Sequence, residues 1–352
     1  MSEVMRAFQL RAWGQAPEQV EVPVPHAGPG QVVVEVAGCG VCHSDVGMAA
    51  MPAEVGEALG WSIPFTLGHE TAGRIVELGD GVDGWAEGDP VALASPASCG
   101  TCHWCVLGHE SSCAEGLVGR GYGRDGGLAE RVLVRDVRGL VALRSGDHVL
   151  DPAVAGPLTD AGATAWHAVR RLLGRSPAND ATVVIGTGGL GLFAIQALRW
   201  ATGSTIIAVD PDPVRRSLAL ERGAHHAVDG VERGTRRALR EIAGGPVGAV
   251  LDFVGTDDTI ACAIAVLEAR GAFGLVGASG GTLRKPWYGT LPRDGEVFTF
   301  QGSDLADVRQ VVELAAQGIV TVDVVPWALD DAAGALAALD AGGLAGRIVV
   351  RP

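Results

Sequence analysis

Four of the chain's seven cysteines fall in one short stretch, "CGTCHWCVLGHESSC", as Cys99, Cys102, Cys105 and Cys113. Cys-x2-Cys steps let a tight turn aim successive thiolates at one point, and tetrahedral zinc takes four such donors at about 2.3 Å. A shell of four thiolates leaves no open position, so the spacing predicts a structural zinc site that pins a loop. Free thiols or a redox pair are the alternative. With four sulfurs available, His103 and His109 in the same loop are expected at the surface. A second stretch, "GCGVCHSDVG" from Gly38 to Gly47, sets the thiol of Cys42, the imidazole of His43, the hydroxyl of Ser44 and the carboxylate of Asp45 side by side. These are metal donors and proton carriers, but their spacing alone does not say what they hold.

A third pattern concerns phosphate. In "ATVVIGTGGLGLFAIQALRWA" a β-branched run meets glycines and then an apolar helix, and "STIIAVDPD" follows as a second strand. Gly186, Gly188 and Gly191 keep the G-x-G-x-x-G spacing: the first makes the turn, the second admits a pyrophosphate, and the third lets helix and strand pack closely. Unpaired N–H groups at the helix start would hold the anion. Asp210 closes the next strand, where a carboxylate can bind both ribose hydroxyls of an adenosine and repel a 2'-phosphate, which favours NAD over NADP. Arg215 and Arg216 keep NADP open, and a turn residue before Pro211 is the plain alternative for Asp210.

The elements that must position these residues are legible in outline. Strand and helix patterns continue through "VGAVLDFVG", "TIACAIAVLEA" and "GAFGLVGASG", which suits an α/β fold with a doubly wound parallel sheet. At 352 residues with 47% hydrophobic and 19% charged residues, the chain can support two domains with cores. A net charge of −14 argues against a nucleic-acid partner. The start "MSEVMRAFQL" lacks the basic and apolar regions of a secretory leader, and no apolar run reaches membrane-spanning length, so a cytoplasmic protein with no membrane partner is expected. In a reducing compartment the cysteines read as metal ligands before disulfides, with Cys39 packed in a strand and Cys262 in a helix core.

Taken in order, "GCGVCHSD", "LGHETAGRIVELGDGV", "GDPVAL", the cysteine loop, "GTGGLG" and "LAGRIVV" resemble the medium-chain zinc-dependent alcohol dehydrogenases over almost the whole length. The resemblance implies a GroES-like β-rich catalytic domain, 1–158 and 297–352, around a Rossmann coenzyme domain at 159–296. It implies a catalytic zinc on Cys42, His69 and a third ligand that is usually cysteine but here is Asp160, as in bacterial members that prefer secondary alcohols. A helix N-cap is the other reading of Asp160. Charge still balances, because one thiolate and one carboxylate offset Zn2+. Two zinc ions per subunit and NAD(H) are thus expected.

The same resemblance gives Asp45 the task of orienting His69, Ser44 the proton step, His43 a place beside the coenzyme, and Glu70 an approach to the metal. It sets Thr164 against the nicotinamide and Arg347 on the pyrophosphate, with Gly189, Leu190, Val254, Val276 and Ala278 completing the coenzyme set. Gly47 stands where many members carry the histidine that ends the proton relay. Gly47, Met48, Trp61, Trp287 and Tyr288 are the expected pocket, suited to a secondary alcohol or ketone with a bulky or aromatic substituent; hinge or interface packing is the other reading of Trp287 and Tyr288. Primary-alcohol or polyol oxidation, conjugated-alkene reduction, and a non-catalytic binder are the competing functions. A homodimer or homotetramer is expected.

Overall fold

The computed structural model describes residues 3–95, 98–146, 148–175, 180–283, 286, 288–344 and 346–352. They form two compact units: Met1–Ala163 with Gly302–Pro352, and Thr164–Gln301. Both divisions fall a few residues later than the expected 158/159 and 296/297. The first falls inside the helix Ala161–Arg170, so Asp160 belongs to the same unit as Cys42 and His69.

The first unit is built on a mostly antiparallel sheet in the order Leu140–Ala142, Pro90–Leu93, Glu70–Leu78, Val32–Gly40, Arg347–Arg351, Val324–Ala328. Val32–Gly40 opens on three valines, whose branched Cβ atoms suit a packed, pleated surface, and it pairs along its length with Glu70–Leu78. The register sets Gly40 opposite Glu70 and Cys39 opposite Thr71. Two residue groups that reappear below, Cys42 just past one strand and His69 just before the other, are therefore brought to the same end of the pair. Phe65, Leu67, Ile75, Leu93 and Leu128 fill the core beneath, each essentially out of water, and burial of such a side chain is worth about 1.5–3 kcal/mol.

The second unit holds six parallel strands in the order His226–Asp229, Thr205–Asp210, Ala181–Ile185, Val247–Asp252, Leu267–Leu275, Glu296–Phe298. This is the 3-2-1-4-5-6 arrangement whose switch point lies beside the first strand. Ala181–Ile185 is buried at every position, as a central parallel strand covered on both faces must be. The expected α/β class with a β-rich domain and a doubly wound parallel sheet is the one observed. No helix among the described residues is long and apolar enough to cross a membrane.

Candidate metal centres and coenzyme site

Strand Val32–Gly40 delivers the chain to Cys42, the N-cap of helix His43–Ala49. Asp45, on the first turn, reaches back so that its Oδ2 accepts from the Cys42 backbone N–H at 2.9 Å. That bond closes the helix start and fixes Cys42 with it. A side chain at Gly40 would collide with the carboxylate of Glu70, so glycine at that point is what allows Glu70 to lie alongside. Just before the neighbouring strand Gly68, at φ +93°, turns the chain so that His69 enters the same space. Asp160 arrives from the turn that follows the short 3-10 segment Gly156–Leu158.

Donor atoms of Cys42, His69, Glu70 and Asp160 all lie within 4.8 Å of one another. His69 Nε2 is 3.6 Å from Asp160 Oδ2 and 3.4 Å from Ser44 Oγ, while its Nδ1 faces Asp45 Oδ1 at 3.4 Å. The two imidazole nitrogens thus address different groups: one the cluster, the other a buried carboxylate that can hold the ring's orientation. Burial disfavours the imidazolium, yet the carboxylates of Asp45 and Asp160 around the ring hold its pKa well above the ordinary value. The surroundings therefore favour positive charge. Glu70 pairs with Arg347 in a fully buried ion pair, and Arg347 also donates to the Val41 carbonyl at 3.2 Å. Burial raises the Glu70 pKa against the pull of Arg347. The second oxygen of Glu70, Oε2, is buried with no hydrogen-bond partner among the described residues. A thiol, an imidazole nitrogen, a carboxylate and an orphaned carboxylate oxygen, gathered where a cation is favoured, fit a zinc ion with three protein ligands.

The cysteine loop forms a second cluster. Sulfur atoms of Cys99, Cys102, Cys105 and Cys113 lie within 4.8 Å of one another, and all seven cysteines are free. Backbone N–H groups of Thr101 and Cys102 lower the Cys99 pKa to about 6, which favours the thiolate that a metal requires. The lobe is tied to the helix Leu305–Ala316: Ser111 N–H donates to Asp304 at 3.1 Å and Leu305 N–H to Glu110 at 3.2 Å. Arg138 fastens the loop's start through Ser98, at 2.8 and 2.9 Å. His103 and His109 are exposed, and Cys39 and Cys262 are buried in a strand and a helix, all as the sequence suggested.

In the second unit the strand Ala181–Ile185 ends at Gly186, φ +81°, and the helix Gly189–Ala201 begins at once, with Leu190 in its first turn. A methyl at Gly191 would lie 2.0 Å from the Gly186 carbonyl oxygen, so only glycine closes this turn. Val254 borders Gly186, and the Val276 N–H joins the end of strand Val247–Asp252. Ala278 follows two residues on, next to the segment around Gly255. Asp210 accepts from Thr187 N–H at 2.8 Å and Asp212 N–H at 2.9 Å, so it braces the glycine turn. Arg215 reaches toward Gly188, whereas Arg216 is engaged by the Asp210 and Pro211 carbonyls and by Asp229. Thr164 is buried on the helix Ala161–Arg170.

The residues expected at the pocket differ in exposure. Met48 is buried in the core of the first unit; three residues beyond the buried Asp45, it falls on the inward face of its helix. Gly47 is exposed, with nothing within 4 Å of where a Cβ would stand. Trp61 is buried, its indole N–H donating to the Leu117 carbonyl at 3.0 Å. Trp287 lies outside the described residues, and Tyr288 is exposed. His43 is exposed beside Ser44. Two partners were not foreseen. Arg347 is engaged with Glu70 rather than standing apart from the metal cluster. Tyr122 brings its hydroxyl to 3.1 Å from Ser44 Oγ, with its ring 4.7 Å from that of His69 and 5.7 Å from that of Trp61. The available signal for Tyr122 was small: a lone tyrosine between two glycines in "GRGYGRDGG".

Comparison with known proteins agrees with this anatomy. Residues 28–150 match the model of the alcohol dehydrogenase GroES-like domain, and 189–317 that of the zinc-binding dehydrogenase. An NAD-dependent alcohol dehydrogenase of Sulfolobus acidocaldarius is 32% identical over 99% of both chains. A D-arabinose 1-dehydrogenase (NADP(+)) of Saccharolobus solfataricus is 30% identical over 95% of this chain and 93% of its own. Among solved structures, the alcohol dehydrogenase of Aeropyrum pernix superposes with a TM-score of 0.87 at 32% identity, covering 99% of this chain and 100% of that one.

Proposed function

The chain belongs to the medium-chain zinc-dependent alcohol dehydrogenase family, and from that premise we propose that it interconverts secondary alcohols and ketones with NAD(H), using a zinc ion held by Cys42, His69 and Asp160. The observation that carries the proposal is the gathering of those three donors within 4.8 Å, with Ser44 Oγ 3.4 Å from His69 Nε2. Membership makes the protein an oxidoreductase of the GroES-like and Rossmann type.

When bound, zinc supplies Lewis acidity of the kind that brings water's pKa from 15.7 to about 7, roughly 12 kcal/mol of bias toward the anion, and NAD supplies the hydride acceptor. The chain's residues do the rest. Cys42 and Asp160 contribute one negative charge each, which balances the ion and leaves the site neutral. Asp45 keeps the His69 ring turned so that Nε2 faces the cluster. Ser44 would accept the hydroxyl proton of the alcohol as its own hydrogen leaves to His43 or water, and would return a proton to the ketone oxygen in reverse. Glu70, held by Arg347, has one buried oxygen left without a partner among the described residues, which would be available to the ion. The glycines Gly186, Gly188 and Gly191 and the start of helix Gly189–Ala201 receive the pyrophosphate, and Asp210 the adenosine ribose. The open space at Gly47 suits a substrate with one bulky substituent. The Asp210 carboxylate favours NAD over NADP; Arg215 beside Gly188 supports residual use of NADP. A homodimer or homotetramer in the cytoplasm is part of the same proposal, and light scattering measures the assembly.

A polyol dehydrogenase is the second reading, favoured by the D-arabinose 1-dehydrogenase relative. The test is turnover of an aryl ketone with NADH beside a polyol with NAD and a conjugated enal with NADH, with metal content measured on the same preparation. Fastest turnover on the aryl ketone is expected. A preference for the polyol would install the second reading, and activity on the enal alone would remove both.

A further inference from the structure

We propose that Tyr122 is the positioning residue of the proton step: its phenolic O–H donates to Ser44 Oγ and so decides which way the serine hydroxyl points. The inference rests on the reading of Ser44 given above. Its geometric basis is the 3.1 Å separation of the two oxygens, beside a histidine that belongs to the metal cluster.

A serine hydroxyl has one hydrogen and two lone pairs. Were Ser44 to donate to Tyr122, its one hydrogen would be engaged, and it could neither pass a proton onward during oxidation nor give one to a ketone. With Tyr122 as donor, one lone pair is occupied and Ser44 retains one acceptor site and its hydrogen. Those are the two capacities a shuttle needs. In oxidation the free lone pair takes the alcohol's proton while the original Ser44 hydrogen leaves to water. In reduction the same two positions exchange roles. A phenol is protonated at neutral pH, so the donor is present throughout. The donated bond also favours the negative charge that gathers on Oγ during the transfer.

Tyr122 is built to stay in place. Its backbone is paired twice with Gly119, by Gly119 N–H to its carbonyl at 2.8 Å and by its own N–H to the Gly119 carbonyl at 2.9 Å. Glycines flank it at φ +71° and +74°. A Cβ at Gly121 would sit 2.7 Å from the Gly68 carbonyl carbon, and one at Gly123 2.7 Å from the Trp61 ring. The loop therefore presses directly against the turn that carries His69 and against the indole that backs the phenol. The hydrogen-bond partner of its hydroxyl is Ser44. At Gly47, where relatives by resemblance would carry a relay histidine, only open space is found.

The test combines Tyr122→Phe, Ser44→Ala and the double variant with fluorine NMR of the 3-fluorotyrosine-labelled chain. Ser44→Ala is expected to lower kcat about 100-fold. Tyr122→Phe should lower kcat about 5-fold, with KM for coenzyme and bound zinc at the parent level. The double variant should be no slower than Ser44→Ala alone. Only two tyrosines are present, so the labelled chain gives two resonances, assigned with Tyr288→Phe; Ser44→Ala should move that of Tyr122 and leave the other. Parent kcat in Tyr122→Phe, multiplied losses in the double variant, or an unmoved Tyr122 resonance would each overturn the proposal. Should Tyr122→Phe lose metal or melt early, the fluorine measurement decides, since it leaves the tyrosine intact. A silent Ser44→Ala would instead refute the role of Ser44 itself, and the positioning role with it.

Discussion

The two donor clusters of the first unit are assembled in opposite ways. Cys99, Cys102, Cys105 and Cys113 come from a single loop, are chemically alike, and are anchored to a helix by backbone bonds to Glu110 and Asp304. Cys42, His69 and Asp160 come from a helix cap, a strand entrance and a turn far apart in sequence; they differ in chemistry, and are surrounded by hydroxyls, an ion pair and an orphaned carboxylate oxygen. In the proposed reading the uniform cluster closes its own shell and can only hold, while the mixed one leaves a side free, with Ser44 and Tyr122 beside it. On that reading the chain separates holding a loop from polarising a substrate, and builds a site from distant segments where an open position is required.

Substitutions in each cluster should therefore fail differently. The largest effect is expected for Asp160→Ala: turnover falls by at least about 1000-fold, equivalent to about 4 kcal/mol of barrier, while one zinc per chain remains and the melting temperature stays within about 3 °C of the parent. Elemental analysis, steady-state rates and calorimetry read the three quantities. Asp45→Asn should lower metal affinity or activity at the same cluster by about 10–100-fold, because the ring of His69 loses the carboxylate that faces its Nδ1; zinc titration against a chelator checks this. Cys113→Ser also leaves one zinc, but the loss is of stability: a fall in melting temperature of about 10 °C with turnover at low temperature kept within about tenfold. If Cys113→Ser removed activity and left stability alone, the division of labour would be reversed. The smallest effect is expected at Gly47→Phe, which meets no atoms within 4 Å: a rise of about threefold in KM for an aryl ketone, none for a small one, and no change in melting temperature.

What could be read from the residues follows the same contrast. The cysteine loop was legible because its geometry is local, and the coenzyme unit because the glycine spacing, its strand and its helix are contiguous. The mixed cluster was reached only through family resemblance, since strand register, not sequence distance, brings Cys42 and His69 to one end of a sheet. Tyr122 was missed for the same reason: its partner is distant in the chain, and a tyrosine between glycines announces a turn before it announces a hydroxyl. The burial of Met48 was not legible, because a seven-residue helix shows too little periodicity to tell its inward face from its outward one. Arg347 was read by resemblance toward a phosphate, while in the fold its guanidinium is turned to the buried Glu70.

The central claim is that Cys42, His69 and Asp160 share one cation. Anomalous scattering at the zinc absorption edge, from crystals grown with zinc supplied, tests it most directly. Two peaks per chain are expected, one among the four sulfurs and one within bonding distance of Cys42 Sγ, His69 Nε2 and an Asp160 oxygen, at about 2.0–2.3 Å. A single peak at the cysteine loop, or a second one that Asp160 does not touch, would contradict the account.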